Sequence, residues 1–381
     1  MKYIGLMSGT SLDGLDIAYC SIDGFYTSTN VQLLAYKEVK MPKQLKEKIQ
    51  FACNKEGAHT DDICSLNFEL GTWFGESTKQ FMDENAIRCE DIDAICSHGQ
   101  TVYHIPESGN GLVRSTLQLG EAAVIAWITG CRVISDFRSM DMAAGGEGAP
   151  LVPYADYLLY RSNTKRRVLV NIGGISNVTY LDKACKEDVV AFDTGPGNMM
   201  IDEAMRHFFQ KEYDKDGETA RSGKIVGSLF EELKNEPYIS SIPPKSTGRE
   251  LFGKQRVEKI LAKYKEDGKD IVATLTHFTA WSIAENIHQF LEGNGNVDEV
   301  IVSGGGAHNH FLLELIQYYM HHAKVMCQED LGFSSDAKEA VCFALLGNET
   351  LHLHYSNMKS ATGAKEKVIL GNITPAIRRF E

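Results

Sequence analysis

The sequence predicts an α/β chain of two similar lobes that arose by internal duplication. The first observation is a strand, a turn of glycine and hydroxyl residues, and a returning strand near the start of the chain. The second is a recurrence of that plan from Arg167 to Leu181, roughly half a chain later. A repeated supersecondary unit points to a repeated fold. The third is length: at 381 residues the chain is long for one core, and two domains are the natural division.

Composition sets limits on function. A 43% hydrophobic and 24% charged chain is of ordinary globular type. The net charge of -12, with no dominating basic stretch, speaks against nucleic acid as a partner. An anionic substrate would need a local cluster of donors. The nine cysteines show no C-x-x-C spacing, so neither a disulfide framework nor a zinc site is expected from them. They read as small core residues in a reducing compartment. No basic segment followed by an apolar run opens the chain, so no signal peptide is expected. The stretch Ala122–Ile134 is broken by Thr129, Gly130 and Arg132 and is too short to span a bilayer. The expectation is a cytoplasmic protein without a membrane partner.

In chain order, Lys2-Tyr3-Ile4 starts a strand, Gly5 to Asp16 forms the turn, and Ile17 to Ile22 returns. Glycine tolerates positive φ, so successive N–H groups can converge on an anion. The hydroxyls of Ser8, Thr10 and Ser11 add donors. Asp13 and Asp16 would repel a bare phosphate but can hold magnesium beside one. An ordinary hairpin would also leave aspartates exposed. The density of hydroxyl, glycine and carboxylate favours nucleotide phosphate contacts at Gly9, Thr10, Ser11, Leu12, Asp13, Gly14, Leu15 and Asp16.

Val31–Tyr36 is a third strand. Ile63, Leu66, Leu70, Phe74, Phe81 and Met82 then recur at helical spacing. Asp91–Ser97 reads as a buried strand ending in His98, Gly99, Gln100 and Thr101, and α/β sheets place ligands at such ends. His98, Gln100 and Thr101 are therefore candidate substrate contacts, against the structural role a lone histidine usually has. A helix from Ala122 and a strand at Arg132–Arg138 lead to the small-residue loop Met140–Pro150, a hinge or a ligand approach. Its charged members include Asp141 and Glu147, the latter a candidate substrate contact.

Arg167–Ile172 is a strand, Gly173-Gly174-Ile175-Ser176-Asn177 a turn, and Val178–Leu181 returns. Val189–Phe192 is a buried strand ending in Asp193-Thr194-Gly195-Pro196-Gly197-Asn198, and a helix spans Met199–Phe209. Asp193, set before glycines that admit a substrate, is the candidate catalytic carboxylate; a turn aspartate is its rival. Lys245–Glu250 is either a phosphate-approaching loop or merely exposed. Ala273–Leu291 forms an amphipathic helix. Glu299–Ser303 is a strand into Gly304-Gly305-Gly306, and a helix follows, an arrangement that brings a nucleotide onto backbone and helix terminus. No Walker A pattern occurs, and Asn309 stands where a dinucleotide fingerprint needs its last glycine. The last major helix opens at Ser334–Ala340; its Glu339 either faces a substrate or supports the helix N-terminus. The tail around Val368–Thr374 packs back on one lobe.

Three glycine-rich loops and Asp193 together suggest an ATP-dependent phosphotransferase with Mg2+. The first two turns would face the phosphates across a cleft, and Gly304–Gly306 would lie under the nucleoside. Phosphoryl transfer needs little more than positioning, magnesium and a base.

The opening turn, together with Ser97-His98-Gly99-Gln100-Thr101, Gly148–Pro153, Asn171–Asn177, Phe192–Asn198 and Ser303–Gly306, resembles the anhydro-N-acetylmuramic acid kinases. These are a branch of the acetate and sugar kinase/Hsc70/actin superfamily. The resemblance covers nearly the whole chain. It implies an actin/hexokinase-like (ribonuclease H-like) fold with an ATP cleft between lobes, and a homodimer. It also implies phosphorylation of 1,6-anhydro-N-acetylmuramic acid with ring opening, giving N-acetylmuramic acid 6-phosphate for cell-wall recycling, with Asp193 as the base that activates water. Two positions depart from the family pattern: Glu147, where glutamine is usual, and Asp156, where a histidine is expected. The alternatives are a kinase of the same fold for another sugar or carboxylate, and an actin/Hsp70-like ATPase; a dehydrogenase is disfavoured by the missing fingerprint. The expected lobes are 1–132, joined by the tail 362–381, and 133–361.

Overall fold

The structure, a computed structural model, describes residues 1–54, 57–109, 111–183, 189–293, 295–332 and 334–376. The chain divides into one unit of Met1–Leu159 with Asp336–Glu381 and a second of Tyr160–Ser335. The sequence-based boundaries at 132/133 and 361/362 differ from these, and residues 377–381 of the expected tail lie outside the described residues.

The strands are β1 (Lys2–Ser8), β2 (Gly14–Asp23), β3 (Asn30–Lys40), β4 (Ala94–Ile105), β5 (Ser115–Leu119), β6 (Val133–Ser135), β7 (Arg167–Ile172), β8 (Ile175–Leu181), β9 (Val190–Pro196), β10 (Glu299–Ser303), β11 (Lys324–Cys327) and β12 (Asn372–Thr374). The first sheet runs β12-β6-β4-β1-β2-β3, with β5 also on β4; the second runs β11-β10-β7-β8-β9. In the first, β1, β2 and β3 are antiparallel, while β4 and β6 follow parallel to β1. In the second, β7, β8 and β9 are antiparallel, while β10 and β11 follow parallel to β7. The same order and sense in both sheets is the ribonuclease H-like plan, so the duplication expected from two hairpins extends to five strands in each unit.

Alternation in the first sheet assigns its two faces. Ile4, Leu6 and Ile95 share a core with Leu70, Phe74 and Phe81 of the Thr60–Glu84 helix and Ile125 of the Ala122–Thr129 helix. Gly5 and Cys96 point the other way, to the Lys338–Leu351 helix. A Cβ on Gly5 would lie 1.8 Å from the Ala340 carbonyl oxygen, and one on Gly347 would lie 2.1 Å from Cys96 Sγ. Backbone-to-backbone packing of this helix draws residues 336–376 into the first unit, and β12 pairs with β6 at the sheet edge. These contacts move the C-terminal boundary, and the pairing of β6 with β4 carries the other past residue 132.

In the second unit the Gly268–Phe290 helix serves two cores. Ile283 and Ile287 meet Val168, Val170 and Val300 of the sheet, whereas Leu275 and Phe278 meet Met200, Leu229 and Ile260. The sequence predicts an amphipathic helix here, but apolar elements cover it on opposite sides. Among the described residues no helix is long and apolar enough to cross a membrane.

Candidate active site

In the first unit, β1 and β2 are joined by residues 9–13. The Leu12 amide donates to the Gly9 carbonyl at 3.3 Å, and Leu12 adopts a positive φ of 55°. Leu12 is buried and Leu15 fully so, backbone included. Ser11 Oγ and the Gly14 amide both donate to Asp13 Oδ1, at 2.8 and 2.9 Å, which shapes the turn. Thr10, Ser11 and Asp13 remain exposed. Asp16 sits on β2, where its Oδ1 accepts from the Tyr36 hydroxyl at 2.6 Å. Burial raises the Asp16 pKa, partly offset by that hydrogen bond, and Asp13 and Glu339 add to the rise.

The polar run 98–104 does not follow a strand end as expected: β4 continues through it to Ile105, paired with β5. Gln100 consequently faces the turn. It accepts from Ser8 Oγ at 2.7 Å and donates Nε2 to the Gly9 carbonyl at 3.2 Å. Both ends of this buried side chain are occupied in holding the turn. Thr101 Oγ1 accepts from Gln118 Nε2 at 3.3 Å. His98 is buried, and its Nε2 lies 3.0 Å from Arg138 Nε and 2.8 Å from Arg138 Nη2. Arginine only donates, so the histidine proton resides on Nδ1. Burial, then the Arg138 charge, push the His98 pKa down to about 3, so the ring is neutral near pH 7. It accepts from Arg138, which also donates to the Gly148 carbonyl at 2.6 Å.

The loop that follows is pinned by Asp141. Its buried carboxylate accepts from Asn357 Nδ2, Thr362 Oγ1 and the Gly148 amide, at 2.9, 2.8 and 2.8 Å. Glu147 is exposed, and its amide is fixed by the Thr362 carbonyl at 2.7 Å. Glu339 is the second residue of the Lys338–Leu351 helix. Crowding by protein raises its pKa, opposed by Lys338 and Arg138. Buried Asp156 ion-pairs with Lys338 at 2.8 Å and so anchors this helix start.

In the second unit, the Gly173–Gly174 turn ends β7 at the position equivalent to the first turn. The Gly173 and Gly174 carbonyls accept from the Asn198 and Met199 amides at 2.8 and 3.1 Å. Gly304, at φ 78°, follows β10 beside β7; a Cβ there would lie 2.6 Å from Asn171 Oδ1, and one on Gly306 would lie 2.4 Å from Ile172 Cγ2. Both Gly173–Gly174 and Gly304–Gly306 thus gather with Asn198 at one end of the second sheet.

Asp193 lies inside β9 rather than at its end, because the strand extends to Pro196 in pairing with β8. A segment little weighed in the sequence holds it. The Thr247 amide donates to Asp193 Oδ2 at 3.0 Å, the Tyr238 hydroxyl donates to its carbonyl at 2.9 Å, and its amide donates to the Lys245 carbonyl at 3.2 Å. Burial raises the Asp193 pKa, moderated by the Thr247 amide. Lys245 Nζ lies 4.8 Å over the Phe290 ring, and burial pushes its pKa down to about 8. Beside the Gly174 turn is a cavity of about 800 Å³ lined by Asp202, Arg206, Arg249 and Lys254 among others. Burial pushes Asp202 up to about 6.

Two copies of one α/β plan, each with a glycine turn after its first strand, define the class as a duplicated chain of the ribonuclease H-like plan. The model of the family "Anhydro-N-acetylmuramic acid kinase" matches residues 1–376. The chain belongs to the anhydro-N-acetylmuramic acid kinase family. It is 49% identical over 377 residues to the anhydro-N-acetylmuramic acid kinase of Clostridioides difficile (strain 630), covering 98% of each chain. It is 48% identical over 375 residues to that of Francisella tularensis subsp. novicida (strain U112), again covering 98% of each. Among solved structures, the (R)-2-hydroxyglutaryl-CoA dehydratase component A of Acidaminococcus fermentans aligns at 13% identity and a TM-score of 0.43, over 91% of this chain and 96% of that one.

Proposed function

We propose that the chain phosphorylates 1,6-anhydro-N-acetylmuramic acid with ATP while opening its 1,6-anhydro ring, giving N-acetylmuramic acid 6-phosphate and ADP in peptidoglycan recycling. The observation that carries this reading is Asp193, half-buried, with Oδ2 tethered by the Thr247 amide and its pKa raised by burial. A carboxylate so held suits a base acting on a water.

In the anhydro sugar O6 is bonded to C1 and has no proton to give. Water adds to C1 through an oxocarbenium-like state, its proton passes to Asp193, and the C1–O6 pair leaves with O6. O6 then attacks the γ-phosphorus of ATP in line, and the bond to the β,γ-bridging oxygen breaks to release ADP. In this reading Gly9–Asp16, Gly173, Gly174 and Gly304–Gly306 hold the nucleotide, and His98, Gln100, Thr101, Glu147 and Glu339 serve the sugar side. Gln100 also braces the Gly9 turn, and His98 also accepts from Arg138. Asp13 and Asp16 would hold magnesium; no ion pair involves Asp13 among the described residues, and its carboxylate oxygens suit that hard cation. When bound, magnesium offsets phosphate charge. A cytoplasmic homodimer belongs to the same reading.

The test is ADP release from magnesium-ATP with the anhydro sugar, with plain N-acetylmuramic acid, and without sugar. Turnover on the anhydro sugar alone is expected. ATP use only with a different sugar would overturn the named substrate, and sugar-independent hydrolysis would indicate a motor-type or chaperone-type ATPase.

A further inference from the structure

The second unit holds a cluster apart from every residue used above. His288 lies in the last turn of the Gly268–Phe290 helix, Glu292 one turn further on, and His322 just beyond the His310–Tyr319 helix. One ligand atom from each lies within 4.8 Å of the others, the one such group of three among the described residues. His288 Nδ1 is 2.6 Å from Glu292 Oε2, and His322 Nε2 is 2.6 Å from Glu292 Oε1. The Val297 amide donates to Glu292 Oε1 at 2.9 Å and fixes the carboxylate.

The second nitrogen of His288 is informative. Its Nε2 lies 3.4 Å from the Tyr319 carbonyl oxygen. A carbonyl only accepts, so in the tautomer that uses this contact Nε2 carries the proton, whereas in the other Nδ1 gives its proton to Glu292 Oε2 at 2.6 Å. The Nε2–H tautomer turns the bare Nδ1 lone pair on the Glu292 carboxylate. Two acceptors at 2.6 Å repel unless a cation joins them, either a second imidazole proton or a metal ion. An imidazole that gives its outer N–H to a backbone carbonyl and turns its lone pair inward has the arrangement typical of a metal ligand.

We propose that His288, Glu292 and His322 bind one divalent transition-metal ion of zinc-like chemistry. Two imidazoles and a carboxylate suit zinc, copper or nickel far better than magnesium. Tetrahedral zinc at roughly 2.0–2.2 Å from its ligands holds them about 3.3–3.5 Å apart. The two contacts at 2.6 Å must therefore widen. The histidines have room to do so, with side-chain exposures of 35% for His288 and 20% for His322. Water completes the coordination. The ion clips the end of one helix to the turn after another, and none of its ligands is Asp193 or a residue of the glycine loops. Cysteine spacing alone had given no reason to expect zinc.

The experiment uses the full chain without a histidine tag, stripped with a chelator and titrated with zinc against a chromogenic competitor. One equivalent is expected to bind. His288→Ala, Glu292→Gln and His322→Ala should each weaken binding at least tenfold, and His59→Ala, an exposed histidine of the other unit, should leave it unchanged. A second measurement needs no variant: zinc should protect His288 and His322 of the unaltered protein from diethylpyrocarbonate, read by peptide mass spectrometry. Absence of stoichiometric zinc, equal affinity in the variants, or no protection at these two histidines would overturn the site and leave a proton-bridged His–Glu–His cluster.

Discussion

Asp193 concentrates the chemistry at the scale of single residues. Asp193→Asn keeps the shape and the Thr247 contact but removes the base, a change typically worth ~10²–10⁴-fold in rate. The expected result in a coupled ADP assay is a loss of at least 100-fold in kcat, with the thermal unfolding midpoint nearly unchanged. Because burial raises the Asp193 pKa, the acid limb of kcat/KM should lie above the ordinary carboxylate range, and activity should fall as pH drops through it. The Thr247 amide works against that rise. Removing it with Thr247→Pro should therefore move the limb to still higher pH; a limb that stays in place would remove Thr247 from this role. Sequence pattern singled out Asp193 from its Phe-Asp-Thr-Gly-Pro-Gly-Asn setting, but not the Thr247 and Tyr238 contacts, which come from residues more than forty positions away. It likewise singled out His98 and Gln100 as substrate contacts, but not the protein partners that hold them. Those partners, Arg138 and Ser8, are brought in by strand pairing and a loop.

Among the elements, the Lys338–Leu351 helix and the loop closed by Asp141 carry the first unit. Gly5 admits the Ala340 carbonyl where any side chain would collide with backbone. Overpacking a core costs typically ~1–3 kcal/mol, and because neither backbone can yield, Gly5→Ala should fall at or above the top of that range in denaturant unfolding. Asp141→Ala strips partners from Asn357, Thr362 and the Gly148 amide. Buried donors left without partners cost ~1–3 kcal/mol each, so this variant should lose several degrees of thermal stability while retaining its secondary structure by circular dichroism. The strands Arg167–Ile172 and Glu299–Ser303 and the helix Met199–Phe209 were legible at their observed limits, because each is bounded by glycine, proline or polar residues. Strands β4 and β9 ran past their expected ends. Hydrophobic pattern stops at the first polar residue, whereas a ladder continues as long as a neighbouring strand offers backbone partners.

The whole molecule is two copies of one plan with unequal continuity. The second unit, Tyr160–Ser335, is continuous, while the first needs Asp336–Glu381 to complete it. Buried Ala340, Ala344 and Leu345 come from that distant segment. A fragment of residues 160–335 should therefore unfold cooperatively on its own, and a fragment of 1–159 should be unfolded by circular dichroism until 336–381 is fused to it. The duplication was legible from two hairpins. The boundaries were not, because contacts rather than local composition decide to which sheet the last helix belongs. The measurement that bears most directly on the central claim is turnover of the anhydro sugar with magnesium-ATP in ¹⁸O-labelled water, analysed at once by mass spectrometry beside an exchange control of preformed product. The predicted result is one label on the sugar and none in phosphate, as water opens the ring and O6 takes the phosphoryl group. Label in inorganic phosphate, or an unlabelled phosphosugar, would contradict it.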